Sequence, residues 1–303
     1  MSQIPKLILA NKQPIKGVLI DISGTIYVGN EAIPGAIEAC RELFRYNDLK
    51  VLFLTNTSKV SSETLLNQLR GMGFDESCIP HRDSIVTSIS ATRLFLLQNG
   101  LRPYCLVEDD LIKTDLMGLD MEDPNCVLVG LAPSKFDYSR LNDAFRLLNK
   151  LKEERQEALR PTVNTSQSVT ELPNLIAIHR ALYYRDSDHN LSLGPGGFVS
   201  LLEQTAGITA HVVGKPSRAF YDAAVSSLGV SPCNCVMIGD DVVGDVKGAL
   251  DSGMGAAILV KTGKYRNGDE LVHTTEGVTP TLTLPSITEA VESIIESIKD
   301  EHS

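Results

Sequence analysis

The chain has 303 residues and a mass of 32.9 kDa, a length that suits one large α/β domain or two smaller ones. Its 28 Lys and Arg against 38 Asp and Glu leave a net charge of −10, so there is no basic excess to neutralise nucleic-acid phosphates. With 43% hydrophobic and 22% charged residues it has a core-forming composition, and no apolar run reaches the ~20 residues that span a bilayer.

Met1 to Ala10 holds one Lys and a short apolar trio, without the apolar stretch and small-residue cleavage site of an export signal. The six cysteines are scattered through a long chain, which fits a reducing compartment, and a cytoplasmic location is expected. Gly17 to Ile20 reads as the first strand and ends on Asp21. A helix follows Pro34, with Ile37, Cys40, Leu43 and Phe44 on one face. Lys50 to Leu54 is the second strand and runs into Thr55-Asn56-Thr57-Ser58. The next helix starts near Ser61, carries Leu65, Leu66, Leu69 and Met72, and stops at Gly71 or Gly73. Further strands are expected at Tyr104–Val107, Val127–Val129, Leu175–Ile178, His211–Val213, Val236–Ile238 and Ala256–Val260. Lys150 to Arg160 is a charged helix end, and the Ser-, Thr- and Asn-rich Pro161 to Pro173 reads as a loop. Ala181 to Leu193 is a hairpin candidate, closed by the turn Gly194-Pro195-Gly196-Gly197. Ser286 and Glu289 form a capping box for a closing helix with Ile287, Val291, Ile294, Ile295 and Ile298 on one face. No internal repeat of fixed period is present. Apolar strands alternating with helices predict a doubly wound parallel sheet covered on both faces.

Several of these strands end in residues that can do chemistry. Asp21 follows Val18-Leu19-Ile20, Thr55 and Asn56 follow Val51-Leu52-Phe53-Leu54, and Asp240 and Asp241 follow Val236-Met237-Ile238-Gly239, with Asp245 behind them. Gly214-Lys215-Pro216 follows a fourth strand. Ligands of an open parallel sheet bind at the carboxyl ends of its strands, so groups two hundred residues apart converge there. Asp21, Asp240 and Asp245 are hard oxygen ligands suited to Mg²⁺, and Lys215 is a point charge for phosphate oxygens. Thr55 and Asn56 bring hydrogen-bond donors to the head of the next helix, and Gly24 lets the chain turn its N–H groups toward the same anion. A carboxylate, a divalent cation, a lysine and an anion nest together describe phosphoryl transfer through an aspartyl-phosphate.

Asp21-Ile22-Ser23-Gly24-Thr25 resembles the first motif of the haloacid dehalogenase superfamily. Thr55-Asn56 is similar to its second motif, Gly214-Lys215-Pro216 to its third, and Gly239-Asp240-Asp241 with Asp245 to its fourth. In more detail the chain resembles the type IIA subfamily, which carries an α/β cap after the second motif. That resemblance implies a catalytic core from residues 1–88 and 195–303 and a C2-type cap from 89–194. It implies Asp21 as nucleophile and Mg²⁺ ligand, the Ser23 carbonyl and Asp240 as further ligands, and Asp241 and Asp245 as supporting acids. Thr55, Asn56 and Lys215 would bind the transferring group, the substrate would be a small phosphorylated molecule or a phosphorylated side chain, and a homodimer is a candidate assembly.

One position departs from the superfamily pattern. Ser23 stands where most of its phosphatases carry a second Asp that serves as general acid and base, a role worth about 10²–10⁴-fold in rate. Serine does not titrate near pH 7, so alkyl esters are expected to be poor substrates, and phosphoramidates or pyrophosphate better ones. A binding protein on the same scaffold is the rival reading, and a phosphotransferase shares every residue named. His179, with Tyr183 and Tyr184 close behind, reads as a structural histidine. Cys233 and Cys235 lack a second pair for a metal site, Gly253-Met254-Gly255 lacks the third glycine of a dinucleotide loop, and Gly263-Lys264 is followed by Tyr265, which a P-loop does not allow.

Overall fold

The computed structural model describes residues 5–10, 12–158, 172–186, 188, 190–272 and 279–301. The first strand, β1 (Gly17–Asp21), is buried along its whole length, which requires cover on both faces. A small antiparallel flap of β2 (Tyr27–Val28) and β3 (Glu31–Ala32) follows, then α1 (Ala36–Leu43), β4 (Lys50–Thr55) and α2 (Ser62–Gly71). Helix α2 starts where Ser61 accepts a hydrogen bond from the Thr64 amide, as an N-cap should. After β5 (Ile85–Thr87) the chain leaves this sheet.

A second α/β layer comes next: α3 (Ser88–Gln98), β6 (Pro103–Leu106), α4 (Asp109–Lys113), β7 (Cys126–Val129), α5 (Tyr138–Ala158) and β8 (Leu175–Ala177). The expected hairpin is present as β9 (Tyr183–Arg185) and β10 (Leu191–Leu193), followed by α6 (Gly196–Ala206) and β11 (His211–Val212). The chain then returns through α7 (Arg218–Leu228), β12 (Cys235–Gly239), α8 (Gly248–Asp251), β13 (Ala256–Val260), α9 (Asp269–Val272), β14 (Leu282–Leu284) and α10 (Ile287–Glu301). Ser286 and Glu289 cap α10, the Glu289 carboxylate accepting from the Ser286 amide at 3.0 Å.

The larger sheet has six parallel strands in the order β14-β13-β12-β1-β4-β5. Alternation along β1 sends Val18 and Ile20 into one apolar cluster with α1 and α10, and Leu19 into another with α7 and α8. The second sheet has four parallel strands in the order β11-β8-β7-β6, with Ile89 and Leu96 of α3 on one face and Ala144, Leu148, Val199 and Leu202 on the other. The doubly wound parallel sheet and the additional α/β layer are therefore present as expected.

The expected division at 194/195 differs from this sheet membership. Helix α6 lays Val199, Leu202 and Ala206 against the second sheet, and β11 pairs with β8 there. Residues 195–213 thus belong to the second layer, because the apolar stripe of α6 is buried against that sheet and not the first. The Gly194–Gly197 turn joins two parts of one layer. Residues 159–171, most of the expected loop, lie outside the described residues. No helix among the described residues is long and apolar enough to cross a membrane.

Candidate active site

Strands β1, β4 and β12 lie side by side, so their carboxyl ends open on one edge of the sheet. Asp21, Ser23, Thr55, Asn56, Lys215, Asp240, Asp241 and Asp245 all line a single cavity of about 310 Å³ at that edge. Every site residue expected from the sequence is brought to this cavity. Its walls also include Tyr27, Lys59, His179, Tyr183, Tyr184 and Lys264.

The centre is charged and buried: Asp21, Lys215, Asp240 and Asp245 are each at most 5% exposed. The Lys215 ammonium donates to Asp21 Oδ1 and, at 2.7 Å, to Asp245 Oδ1. Burial works against the charged Lys215, but Asp21 and Asp245 outweigh it and hold its pKa above the usual lysine value. Asp21 Oδ2 accepts a second hydrogen bond, from Thr25 Oγ1 at 3.1 Å. Asp245 reaches Lys215 from beneath β12, and a Cβ at Gly239 would collide with its carboxyl group, so a side chain there would displace it. Its other oxygen accepts from the Asp241 amide at 3.1 Å, so both Asp245 oxygens are engaged. The segment Val242–Lys247 that carries Asp245 is a π-turn, with the Val246 amide reaching back to the Asp241 carbonyl at 3.2 Å.

Asp240 is different. Its Oδ2 accepts from the Lys264 amide at 2.7 Å, whereas Oδ1 is buried with no hydrogen-bond partner. An orphaned carboxylate oxygen is costly unless a ligand completes it. Oxygens of Asp21, Asp240 and Asp245 all lie within 4.8 Å of one another. Of the three, Asp240 alone has an oxygen without a partner, and this set of buried carboxylates fits Mg²⁺ with its remaining positions left to water and substrate.

Two of these side chains also make hydrogen bonds within the protein. Asn56 spends both polar atoms on the Lys215 backbone, its Nδ2 donating to the carbonyl at 2.9 Å and its Oδ1 accepting from the amide at 3.0 Å. Thr55 donates its hydroxyl proton to Thr57 Oγ1 at 2.9 Å and accepts from the Thr57 amide at 3.0 Å. Asn56 thus helps hold the loop that places Lys215, and Thr55 is tied to Thr57 at the same cavity. Ser23 Oγ lies 3.1 Å from Tyr27 OH and 3.0 Å from Thr57 Oγ1, in a chain of hydroxyls with no carboxylic acid. Burial raises the Tyr27 pKa, so that phenol stays protonated.

His179 is structural, as the sequence suggests. Its Nδ1 accepts from the Ala181 amide at 3.3 Å and its Nε2 lies 2.9 Å from Ser58 Oγ, which also accepts from the Leu131 amide. Burial, helped by the Lys264 and Lys215 charges, pushes the imidazole down to about 3, so it is neutral and ties the first sheet to the second.

Sequence reasoning missed the loop after β13. Thr262 Oγ1 donates to the Gly24 carbonyl at 2.6 Å, and Lys264 Nζ donates to Asp241 Oδ2 at 2.6 Å. Burial works to raise the Asp241 carboxyl, and Lys264 outweighs it, leaving it at about 2. Gly24 (φ +98°) and Gly263 (φ +54°) approach so closely over Asp240 that a Cβ on either would strike its carboxylate. The signal was available: β13 is another parallel strand ending at the same edge.

A family profile described as haloacid dehalogenase-like hydrolase matches residues 18–121, and one described as HAD-hydrolase-like matches residues 212–290. The chain is 41% identical over 290 residues to haloacid dehalogenase-like hydrolase domain-containing protein 2 of Bos taurus, covering 96% of this chain and all of the relative. It belongs to the haloacid dehalogenase-like hydrolases. Within that family it is also 38% identical over 260 residues to the phospholysine phosphohistidine inorganic pyrophosphate phosphatase of Rattus norvegicus, covering 84% of this chain and 86% of that one. In fold, the haloacid dehalogenase-like chain is similar to a 4-nitrophenylphosphatase from Thermotoga maritima, with a TM-score of 0.74 at 23% identity over 92% of this chain and 97% of that one. It is likewise similar to a glycerol phosphate phosphatase from Mycobacterium tuberculosis solved with magnesium, with a TM-score of 0.72 at 21% identity over 93% and 77%.

Proposed function

We infer that the protein is a Mg²⁺-dependent phosphatase that works through an aspartyl-phosphate on Asp21. It acts on phosphoramidates or pyrophosphate in preference to alkyl esters. The observation that carries the reading is the buried Asp21–Lys215 pair beside the orphaned Asp240 oxygen, in one cavity.

Asp21 and Asp240, with the Ser23 carbonyl, would hold Mg²⁺, which when bound supplies positive charge to the phosphoryl oxygens. Lys215 pairs with Asp21, fixes its direction and faces the incoming phosphoryl group. The Asp21 carboxylate attacks phosphorus, and the electron pair of the bond that breaks departs with the leaving group. Water then hydrolyses the aspartyl-phosphate, restoring the carboxylate and releasing inorganic phosphate. Asp245 and Asn56 position Lys215, and Asp241 pairs with Lys264 at the rim. Because Ser23 meets only hydroxyls, no carboxylic acid stands there to protonate an alkoxide as it leaves. A leaving group that departs neutral from a nitrogen already protonated in the substrate, such as an amine or an imidazole, or one that departs as a stable anion, such as phosphate, avoids that requirement. The relative named for phospholysine, phosphohistidine and inorganic pyrophosphate supports this class.

The test is phosphate release from pyrophosphate, phosphohistidine, phospholysine and glycerol phosphate, each with Mg²⁺ and with EDTA. Mg²⁺-dependent release from the first three, well above glycerol phosphate, is the expected result. Equal turnover of the alkyl ester would overturn the leaving-group argument. Binding of Mg²⁺ without release from any substrate would favour the binding-protein reading.

The carboxylates also predict a pH dependence. Burial raises Asp240 well above the usual range, and burial raises Asp245 to about 7 against the opposing pull of Lys215. Between about pH 4, the unfolded value, and pH 7 these two carboxyls therefore hold more protons in the metal-free folded state than in the unfolded chain, and the stability they contribute falls as pH rises. Mg²⁺ competes with those protons. The melting-temperature rise produced by Mg²⁺ should be small at pH 5 and should grow up to about pH 7.5, where a hundredfold excess over Kd is worth about 2.7 kcal/mol. Stabilisation by Mg²⁺ that is flat or declining across this range would contradict the assignment.

A further inference from the structure

The hairpin β9–β10 of the second layer overhangs the cavity and is held by cations from the first. Successive strand residues face opposite sides, and each of the two tyrosines of β9 meets its own cation. Tyr183 lies under the Arg266 guanidinium, 4.3 Å from ring centroid to Cζ. Tyr184 meets Lys59, whose Nζ is 5.5 Å from its ring centroid and donates to its hydroxyl at 3.4 Å. The two contacts are not equivalent, because Arg266 closes the loop that runs over Asp240.

That loop is a hydrogen-bonded turn. The Tyr265 amide donates to the Thr262 carbonyl at 3.0 Å, and the Arg266 amide donates to Asp269 Oδ2 at 2.8 Å. Its inner side carries the Thr262 hydrogen bond to Gly24 and the Lys264 amide that holds Asp240 Oδ2. A continuous line of contacts thus runs from the Tyr183 ring, through Arg266 and the turn, to Asp240, a buried carboxylate whose second oxygen lacks a partner.

We propose that Tyr183 and Arg266 are positioning residues for the metal site: seating of the hairpin on Arg266 fixes the 262–265 turn, the turn orients Asp240, and Mg²⁺ affinity depends on that seating. This rests on the reading of Asp21 and Asp240 as a Mg²⁺ site. Coupling of this kind is reciprocal, so Mg²⁺ tightens the hairpin by the same factor by which the hairpin tightens Mg²⁺. The cavity wall over the leaving group and the centre that holds the phosphoryl group then close together. Substrates that keep the hairpin from seating also lose metal, which gives the second layer a means of selecting them.

The experiment is calorimetric titration of the full-length protein with MgCl₂, with folding checked by circular dichroism. Removing a partly buried cation–π contact changes an equilibrium by about fivefold, so Arg266→Ala and Tyr183→Ala should each weaken Mg²⁺ binding by about three- to fivefold. Because both break the same contact, the double variant should be no weaker than either single one. Tyr183→Phe, which keeps the ring, and Arg266→Lys, which keeps the cation, should bind Mg²⁺ within about twofold of wild type. Mg²⁺ should also slow amide hydrogen exchange across residues 183–193 in wild type and not in Arg266→Ala.

Wild-type Mg²⁺ affinity in Arg266→Ala and Tyr183→Ala, or losses that multiply in the double variant, would overturn the coupling and leave the phosphatase reading standing. A wild-type protein that binds no Mg²⁺ would overturn the metal site and this coupling with it.

Discussion

Replacing Asp21 with asparagine should reduce turnover by roughly 10⁴–10⁶-fold, the scale of loss when a covalent nucleophile is removed. The amide keeps the shape of the carboxylate but is a poor nucleophile and gives no acyl-phosphate that water can reopen to an acid. The fold should survive, because Lys215 retains Asp245 at 2.7 Å and β1 remains buried between its neighbours. Single-turnover phosphate release, with circular dichroism as the control for folding, measures this. Activity within tenfold of wild type in a well-folded Asp21→Asn protein would remove Asp21 from the mechanism.

The second large effect concerns Lys215. Lys215→Met leaves Asp21 and Asp245 facing each other, buried and unneutralised, and breaking a buried pair in this way costs about 3–5 kcal/mol. Turnover should also fall by about 10²–10³-fold, because the charge aimed at the phosphoryl group is lost. The stability loss carries a sign in pH. Without the ammonium, the carboxyls take up protons more readily in the folded state than in the unfolded chain, and protonation relieves their repulsion. Urea denaturation of the metal-free variant should therefore show the full loss at pH 7.5 and a smaller one at pH 5.5. A loss below about 1 kcal/mol, or one that grows on acidification, would mean that Lys215 does not neutralise this cluster.

Much of the site was legible because the chemistry sits at strand ends. Asp21, Thr55 and Asp240 each close an apolar run, and parallel pairing of β1 with β4 and β12 brings those ends together. Side-chain direction was not legible. Asn56 and Thr55 carry donors that suit an anion, and nothing in their spacing foretells that they also bond to the Lys215 backbone and to Thr57. Tyr265 rules out a P-loop at Gly263-Lys264, but the position of Lys264 just past a core strand is the better guide to its place in the site. The placement of 195–213 failed for a related reason. An apolar helical stripe such as Val199, Leu202 and Ala206 shows that a face is buried, not which of two sheets buries it. His179 was legible because a lone histidine closing an apolar strand is more often satisfied by its neighbours, as Ser58 and the Ala181 amide satisfy it here.

The central claim is that phosphorus passes through Asp21, and chemical trapping tests it most directly. The protein is mixed with phosphohistidine and Mg²⁺, quenched within the first turnover and treated with borohydride, which reduces an acyl-phosphate to an alcohol. Peptide mass spectrometry should then find homoserine in place of Asp21, only with Mg²⁺ present and not in Asp21→Asn. Rapid phosphate release with Asp21 unmodified, or reduction at another carboxylate, would contradict the account.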